Sequence, residues 1–159
     1  MAAKSERSAK LSVLDRLIDQ EPKRTTEVPP SAAQSLRDLK ASLRRDIEWL
    51  LNTRQCFEVP EDLPALRDSF LSYGLPDFST LSVKNAEDQS SLVAALENTL
   101  RRFEPRLQDV TVSLATVSPL ERALRFRIEA RLRIDPVPEP VTFDTTLQLG
   151  SGNFAVKGE

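Results

Sequence analysis

The sequence lacks histidine altogether and has a single cysteine, Cys56, among its 159 residues. Without histidine the commonest general base and a frequent zinc ligand are missing, and one cysteine cannot form an intramolecular disulfide. Because Cys56 has no imidazole to activate it, a packed or partly exposed thiol is favoured over a nucleophile. We therefore expect no catalytic residues, no metal site and no cofactor.

Long apolar runs and a strong excess of either charge are also missing. No stretch approaches the roughly 18 apolar residues that a membrane helix needs, and no apolar segment follows the charges of the N-terminus as in a signal peptide. The formal net charge of -2 gives no broad positive field for a phosphate backbone. These features favour a cytoplasmic protein with no membrane insertion and no nucleic-acid partner.

Apolar residues recur at helical spacing through the first two thirds of the chain, punctuated by proline and glycine. The segment at 31–52 carries the strongest helical pattern, with Ser31 as a plausible N-cap. The other predicted segments are a short helix at 12–18, a Pro-containing linker at 19–30, a helix at 64–73 that Gly74 ends, and a helix at 87–103 that ends before Pro105.

Beyond Pro105 the period of the apolar pattern changes from about 3.6 to 2, which is typical of strands. The predicted strands are 107–117, 124–134, 141–149 and 153–157. We predict an α+β fold in which N-terminal helices pack on one face of a small, mostly antiparallel C-terminal sheet of about four strands. Residues 1–30 form an N-terminal tail with a short helix and a linker, and residues 31–159 form a single domain.

The tripeptide Glu104-Pro105-Arg106 places opposite charges on either side of a residue with a fixed φ, where a helix gives way to a strand. In one interpretation Pro105 only ends the helix and the two charges are solvated. In the other, a rigid corner holds the Arg106 guanidinium ready for bidentate pairing with a partner carboxylate, while Glu104 orients it or binds a partner base.

Other candidate chemistry is weaker. Acidic residues number 24, so a pair of carboxylates could in principle hydrolyse a glycosidic bond, but none lies in a diagnostic motif. The Gly150-Ser151-Gly152 turn is too short for a phosphate-binding loop. Alternating arginines on 124–134 lack the interleaved aromatics of an RNA platform, and an exposed strand face protected by charge is favoured.

Four motifs resemble, in order, those of the TssE family of type VI secretion baseplate proteins, relatives of the small wedge proteins of contractile phage tails. They span most of the chain. The motifs are Ser12-Val13-Leu14-Asp15-Arg16-Leu17, Arg45-Asp46-Ile47-Glu48-Trp49-Leu50-Leu51-Asn52-Thr53-Arg54, Tyr73-Gly74-Leu75-Pro76-Asp77-Phe78-Ser79 and Phe103-Glu104-Pro105-Arg106-Leu107. One departure is Gln55-Cys56, where the family often continues with a basic residue.

The resemblance implies a non-catalytic, cytoplasmic component that links the baseplate wedge to the contractile sheath and helps initiate sheath polymerisation. Its partners would be wedge subunits and sheath subunits. The family carries a lysozyme label by historical association, and the lack of an identifiable acid pair in this sequence agrees with treating that label as misleading. The alternative is a peptidoglycan hydrolase that uses a carboxylate pair. The family's Glu-Pro-Arg corner is thought to grip the helical core bundle of the wedge, which assigns partner binding to Glu104, Pro105 and Arg106.

The resemblance also implies that the sheet takes part in the strand exchange that joins sheath subunits. Adding a strand to a sheet edge uses main-chain hydrogen bonds, which tolerate many side chains. We expect an edge of the C-terminal sheet to meet the sheath, with 141–149 as the candidate edge and proline substitutions along it as the test.

Overall fold

The computed structural model describes residues 12–17, 31–56, 59–60, 62–67, 69–78, 82, 85–118 and 122–158. The predicted tail at 1–10 and the linker at 19–30 lie outside these residues. Within the described parts, no helix is both long enough and apolar enough to cross a bilayer. The elements in chain order are α1 (Val13–Leu17), α2 (Ala32–Asn52), two 3₁₀ turns (Pro64–Leu66 and Phe70–Ser72), α3 (Ala86–Phe103), β1 (Leu107–Ser118), β2 (Ala123–Leu132), β3 (Glu139–Gln148) and β4 (Phe154–Gly158).

The four strands form an antiparallel sheet in the order β1-β2-β3-β4. In β2 and β3 buried and exposed residues alternate, so one face of the sheet is covered and the other is open. On the covered face, α3 packs against β1 and α2 packs against β4. The predicted α+β fold, with helices on one face of a small antiparallel sheet, is confirmed.

Helix α2 forms where its sequence predicts it. The Ser31 hydroxyl accepts a hydrogen bond from the Gln34 N–H at the N-terminus, and apolar residues at steps of three and four share one stripe. That stripe is buried in the core, and each of its leucines contributes about 1.5–3 kcal/mol through burial. The buried residues of the stripe are Leu39, Leu43, Ile47, Leu50 and Leu51.

The predicted helix at 64–73 is wrong: the segment forms two separate 3₁₀ turns. Serine hydroxyls compete with the helical ladder, because Ser69 and Ser72 both donate to the Leu66 carbonyl, at 2.7 and 2.6 Å. The apolar residues of the segment therefore do not share one buried face. Phe70 is 84% exposed.

After these turns the chain returns alongside the end of α2, and Gly74 makes the close approach possible. Its φ is +104°, and a Cβ at this position would collide with the Thr53 carbonyl. The Leu75 N–H donates to the Thr53 carbonyl at 2.8 Å, and the Gln55 N–H donates to the Leu75 carbonyl at 2.9 Å. This pairing fixes the position of Tyr73 beside α2.

Side chains cover part of both outer strands of the sheet. The Asn52 amide donates to the Phe154 carbonyl at 2.9 Å and accepts from the Phe154 N–H at 2.8 Å, which imitates a strand partner for β4. On β1, Glu97 accepts from the Val112 N–H at 3.2 Å and Arg101 donates to the Val110 carbonyl at 2.9 Å. Such pairing satisfies backbone groups that an edge strand otherwise leaves open.

The expectation that 141–149 is a sheet edge is wrong. These residues belong to β3, which pairs with β2 along its whole length and with β4 from Phe143 to Leu147. Its alternating pattern reflects one covered and one open face of the sheet, which central and edge strands share, so the pattern does not reveal the position of the strand in the sheet. The edges are β1 and β4.

Candidate partner-binding site

Backbone hydrogen bonds hold the corner formed by Glu104, Pro105 and Arg106 in place. Glu104 ends α3, where its N–H still donates to the Leu100 carbonyl at 2.9 Å. The Leu107 N–H then donates to the Glu104 carbonyl at 3.1 Å as β1 begins, and the Arg106 carbonyl accepts from the Arg133 N–H at 2.8 Å. The corner therefore belongs to both α3 and the sheet.

The two charges of the corner pair with each other. Arg106 donates from Nε to Oε1 of Glu104 and from Nη2 to Oε2, both at 2.6 Å. The Glu104 side chain is 6% exposed and that of Arg106 is 24% exposed, whereas Pro105 is exposed. This two-point geometry is the strong form of an Arg–carboxylate pair. Glu104 therefore orients Arg106, and the same fork is not open to a partner carboxylate.

A second carboxylate, Asp46 on α2, joins the pair to the helices. Its Oδ2 accepts from Arg106 Nη2 at 2.7 Å, and its Oδ1 accepts from Arg45 Nη2 at 2.9 Å. Arg45 in turn donates to Asp15 of α1 at 2.8 Å, and the hydroxyl of Ser42 donates to the same carboxylate. The five alternating charges of Asp15, Arg45, Asp46, Arg106 and Glu104 form one connected network, called here the charge network.

The charge network stabilises the charged form of Arg106. Its hydrogen bonds to Glu104 raise the pKa of the Arg106 guanidinium; burial opposes that rise, and the charges of Glu104 and Asp46 reinforce it. With three acids and two arginines, the network carries one excess negative charge. Sequence reasoning identified the corner but missed Asp46, Arg45 and Asp15, which lie 58 or more positions away from Glu104 along the chain.

Two exposed aromatic side chains flank the charge network. Trp49 lies one helical turn beyond Arg45. The guanidinium carbon of Arg45 is 4.9 Å from the centre of the Trp49 ring. The Tyr73 ring meets the edge of Phe103 at 5.3 Å, and burial, followed by the charges of Asp46 and Glu104, raises the pKa of its hydroxyl. Trp49 is 53% exposed and Tyr73 is 38% exposed, so both rings are available at the surface.

Helix α1 is held by its polar side. Asp15 faces Ser42 and Arg45 of α2, and residues two positions before and after it lie about 160° around the helix. Val13 and Leu17 occupy those positions and are 73% and 76% exposed. The apolar stripe that predicts this helix therefore includes two side chains that point into solvent.

A hydrolase would need a pair of available carboxylates, and the corner and the groove are the places in the described residues to look for one. The carboxylates there already accept hydrogen bonds. Glu104 and Asp46 both bind Arg106. A groove of about 350 Å³ lies between α3 and β1, and its acid, Glu97, binds Arg101 and the Val112 N–H. The described residues contain no group of three or more potential metal ligands. The groove residues are Gln89, Ser90, Val93, Ala94, Glu97, Asn98 and Leu114.

A protein-family model described as baseplate wedge protein gp25 matches residues 37–137, more than half of the chain. The chain belongs to this family. The match includes most of α2, the whole corner and strands β1 and β2, and it places the chain among the structural components of a baseplate, which assemble with other baseplate proteins. No curated protein and no solved structure matched the chain.

Replacing Arg106 with Ala should lower the free energy of unfolding by about 3 kcal/mol, because Glu104 would remain buried without its partner. Arg127→Ala is the matched control, since its partner Asp144 is 65% exposed and the pair contributes at most about 1 kcal/mol. Urea unfolding of the three proteins measures both differences. Similar losses for the two variants would show that Glu104 does not depend on Arg106.

Stability should also fall in acid through Asp15. Burial raises the pKa of its carboxyl, but hydrogen bonds from Ser12, Ser42 and Arg45, together with the charge of Arg45, outweigh burial and lower it from 3.8 to about 2. Because the pKa is lower in the folded protein, this stabilisation is complete above the unfolded value and is lost as the pH falls towards 2.

Urea unfolding at several pH values from about 6 down to 2 tests this, with Asp15→Asn removing the acid-sensitive component. Asp62→Asn changes an exposed position and is the control, so this variant should keep the acid-sensitive component of stability. An unchanged pH profile in Asp15→Asn would contradict the assignment.

Proposed function

We propose that this chain is a TssE-type baseplate component of a type VI secretion system. It acts in the cytoplasm without catalysis, joins the wedge to the contractile sheath and helps to initiate sheath polymerisation. The observation that carries the proposal is the Glu104-Pro105-Arg106 corner, with Arg106 locked onto Glu104 and Asp46 beside two exposed aromatic rings. The single domain at 31–159 provides this corner and the sheet.

The wedge-binding surface combines a rigid corner with an aromatic rim. Trp, Tyr and Arg are the residues most often found to dominate binding energy at interfaces. Pro105 is exposed, whereas Glu104 is buried, so a wedge subunit contacts the Pro105 ring, Trp49 and Tyr73 directly. Glu104 and Arg106 contribute by fixing the shape of the corner. This surface has a built-in excess of one negative charge, which favours a partner with a basic residue at its centre.

The sheath contact lies on the uncovered part of β1. Val110 and Val112 direct backbone groups towards α3, where Arg101 and Glu97 bind them. Backbone groups of successive residues point to opposite sides of a strand, so residues two apart point to the same side. The backbone groups of Leu114 therefore point to the same side as those of Val110 and Val112, into the groove beside Val93. A strand from a sheath subunit can pair there with β1 and place an apolar side chain against Val93 and Leu114.

Wedge binding should depend on the exposed Pro105 of the corner and on the exposed Trp49 beside it. Trp49→Ala and Pro105→Ala should each weaken binding to wedge subunits, with Trp49→Ala costing about 2 kcal/mol, roughly thirtyfold in Kd. Val137→Ala is the control, because Val137 is 60% exposed and lies outside the corner. Calorimetry with purified wedge subunits measures the effect. Wild-type affinity in both Trp49→Ala and Pro105→Ala would reject the proposed wedge-binding surface.

Filling the groove should block the sheath contact. Ala94 is exposed on the α3 wall of the groove, so Ala94→Tyr should prevent strand addition while leaving the fold intact. Ala41→Tyr places the same side chain at an exposed position on α2 as a control. Sheath assembly on purified baseplates measures the loss. Normal assembly with Ala94→Tyr, and no change in hydrogen exchange of β1 on adding sheath subunits, would place the contact elsewhere.

Purified protein should leave peptidoglycan intact at pH values from about 4 to 8, a range that brackets carboxyl and imidazole pKa values. The expectation follows from the absence of histidine and of a carboxylate motif in the sequence. Chromatography of released muropeptides is the measurement, with lysozyme as a positive control. Release that is lost on replacing one defined acid would establish the hydrolase alternative.

A further inference from the structure

The open face of the sheet carries a charge pattern that neither the corner nor the groove uses. Along β2 and the residue just after it, exposed side chains alternate with buried ones in the order basic, basic, acidic, basic, basic. The five residues, called here the β2 charge row, are Arg125, Arg127, Glu129, Arg131 and Arg133.

Neighbouring strands leave the β2 charge row accessible. Opposite Glu129 lie Thr111 of β1 and Thr142 of β3, and opposite Arg127 lies Ser113. These side chains are shorter than the arginines of the row, so they do not cover them. Asp144 approaches Arg127 at 3.1 Å and Asp109 approaches Arg131 at 3.8 Å, but each member of both pairs is more than half exposed. The pairs are therefore open to exchange with outside charges.

The open face carries more positive than negative charge, although the whole chain has a net charge of -2. The described strand residues of this face, together with Arg133 just after β2, include five basic side chains against three acidic ones. The basic residues are Arg125, Arg127, Arg131, Arg133 and Lys157, and the acidic residues are Asp109, Glu129 and Asp144. A partner for this face must be predominantly acidic.

The acidic Glu129 at the centre of the row favours a β-strand over a nucleic acid as the partner. A nucleic acid presents uniform negative charge and would meet this acid at the centre of the row, and no aromatic side chain lies within the row to stack on a base. A β-strand presents alternate residues about 6.8 Å apart, which is the spacing of the row itself. Because packed sheets cross at about 30°, a strand on the face of a partner sheet lies over the centre of the row, where it can match Arg127, Glu129 and Arg131.

We propose that the β2 charge row docks the face of a partner β-sheet whose strand carries acidic, acidic, basic, acidic and acidic side chains at alternate positions. The two sheets pack face to face at a crossing angle of about 30°, so the central charges meet their opposites directly and the two outer arginines, Arg125 and Arg133, reach sideways towards the outer acids. The central Glu129 sets the register, because a shift by one pair brings it against an acid. Arg133, the last member of the row, touches the corner through its backbone N–H. The test varies Glu129, which lies four residues away from Arg133, so its outcome can be told apart from that of the wedge proposal.

The test uses a disulfide-closed β-hairpin peptide with one strand reading Glu-Thr-Glu-Thr-Lys-Thr-Glu-Thr-Glu, and a second hairpin in which the central Lys is Glu. The intact protein should bind the Lys-centred hairpin about fivefold more tightly, since one exposed pair changes from repulsive to attractive. Glu129→Arg should reverse the preference. Asp62→Arg makes the same change of charge at an exposed position elsewhere and should leave the preference unchanged.

Binding is measured by fluorescence anisotropy at low and high salt, with circular dichroism to verify the fold of each variant. A DNA duplex and phosphatidylserine vesicles serve as competing probes. A preference that follows the central charge and weakens with salt supports the proposal. No binding, equal binding of both hairpins, an unchanged preference in Glu129→Arg, or tighter binding of DNA or vesicles would overturn it.

Discussion

The pairing of Arg106 with Glu104 is the interaction on which the candidate site depends. A buried carboxylate is costly unless a partner accompanies it, and here the partner is two residues away across a proline. Because Glu104 ends α3 and Arg106 precedes β1, the pair fixes the angle at which the helix meets the sheet. Asp46 extends this constraint to α2 and, through Arg45, to α1. A corner of this kind presents a constant shape to a partner.

Side chains also satisfy polar groups at the edges of the sheet. A four-stranded antiparallel sheet has two edges, and this protein covers part of each with side chains from the helices packed on it. Asn52 serves β4, while Glu97 and Arg101 serve β1. The covered positions restrict pairing with other chains to short stretches, which limits indiscriminate aggregation.

Sequence patterns predicted the secondary structure well where one physical rule dominated. The 3.6-residue period of α2 and the alternation of β2 each state which face is buried, and burial is the largest stabilising term. The prediction failed at 64–73, where Ser69 and Ser72 divert backbone hydrogen bonds into 3₁₀ turns. Side-chain competition of this kind has no periodic signature.

The sequence by itself determined the fold class, the rigid corner at Pro105 and the absence of histidine chemistry, since these follow from local periodicity, fixed dihedral angles and composition. Only the tertiary structure decided how the charges of the corner pair. It brings Asp46 to within 2.7 Å of Arg106 across 60 positions and places β3 inside the sheet, a position that its alternating pattern does not encode. Local sequence cannot specify such contacts, because they depend on how helices and strands pack around a shared core.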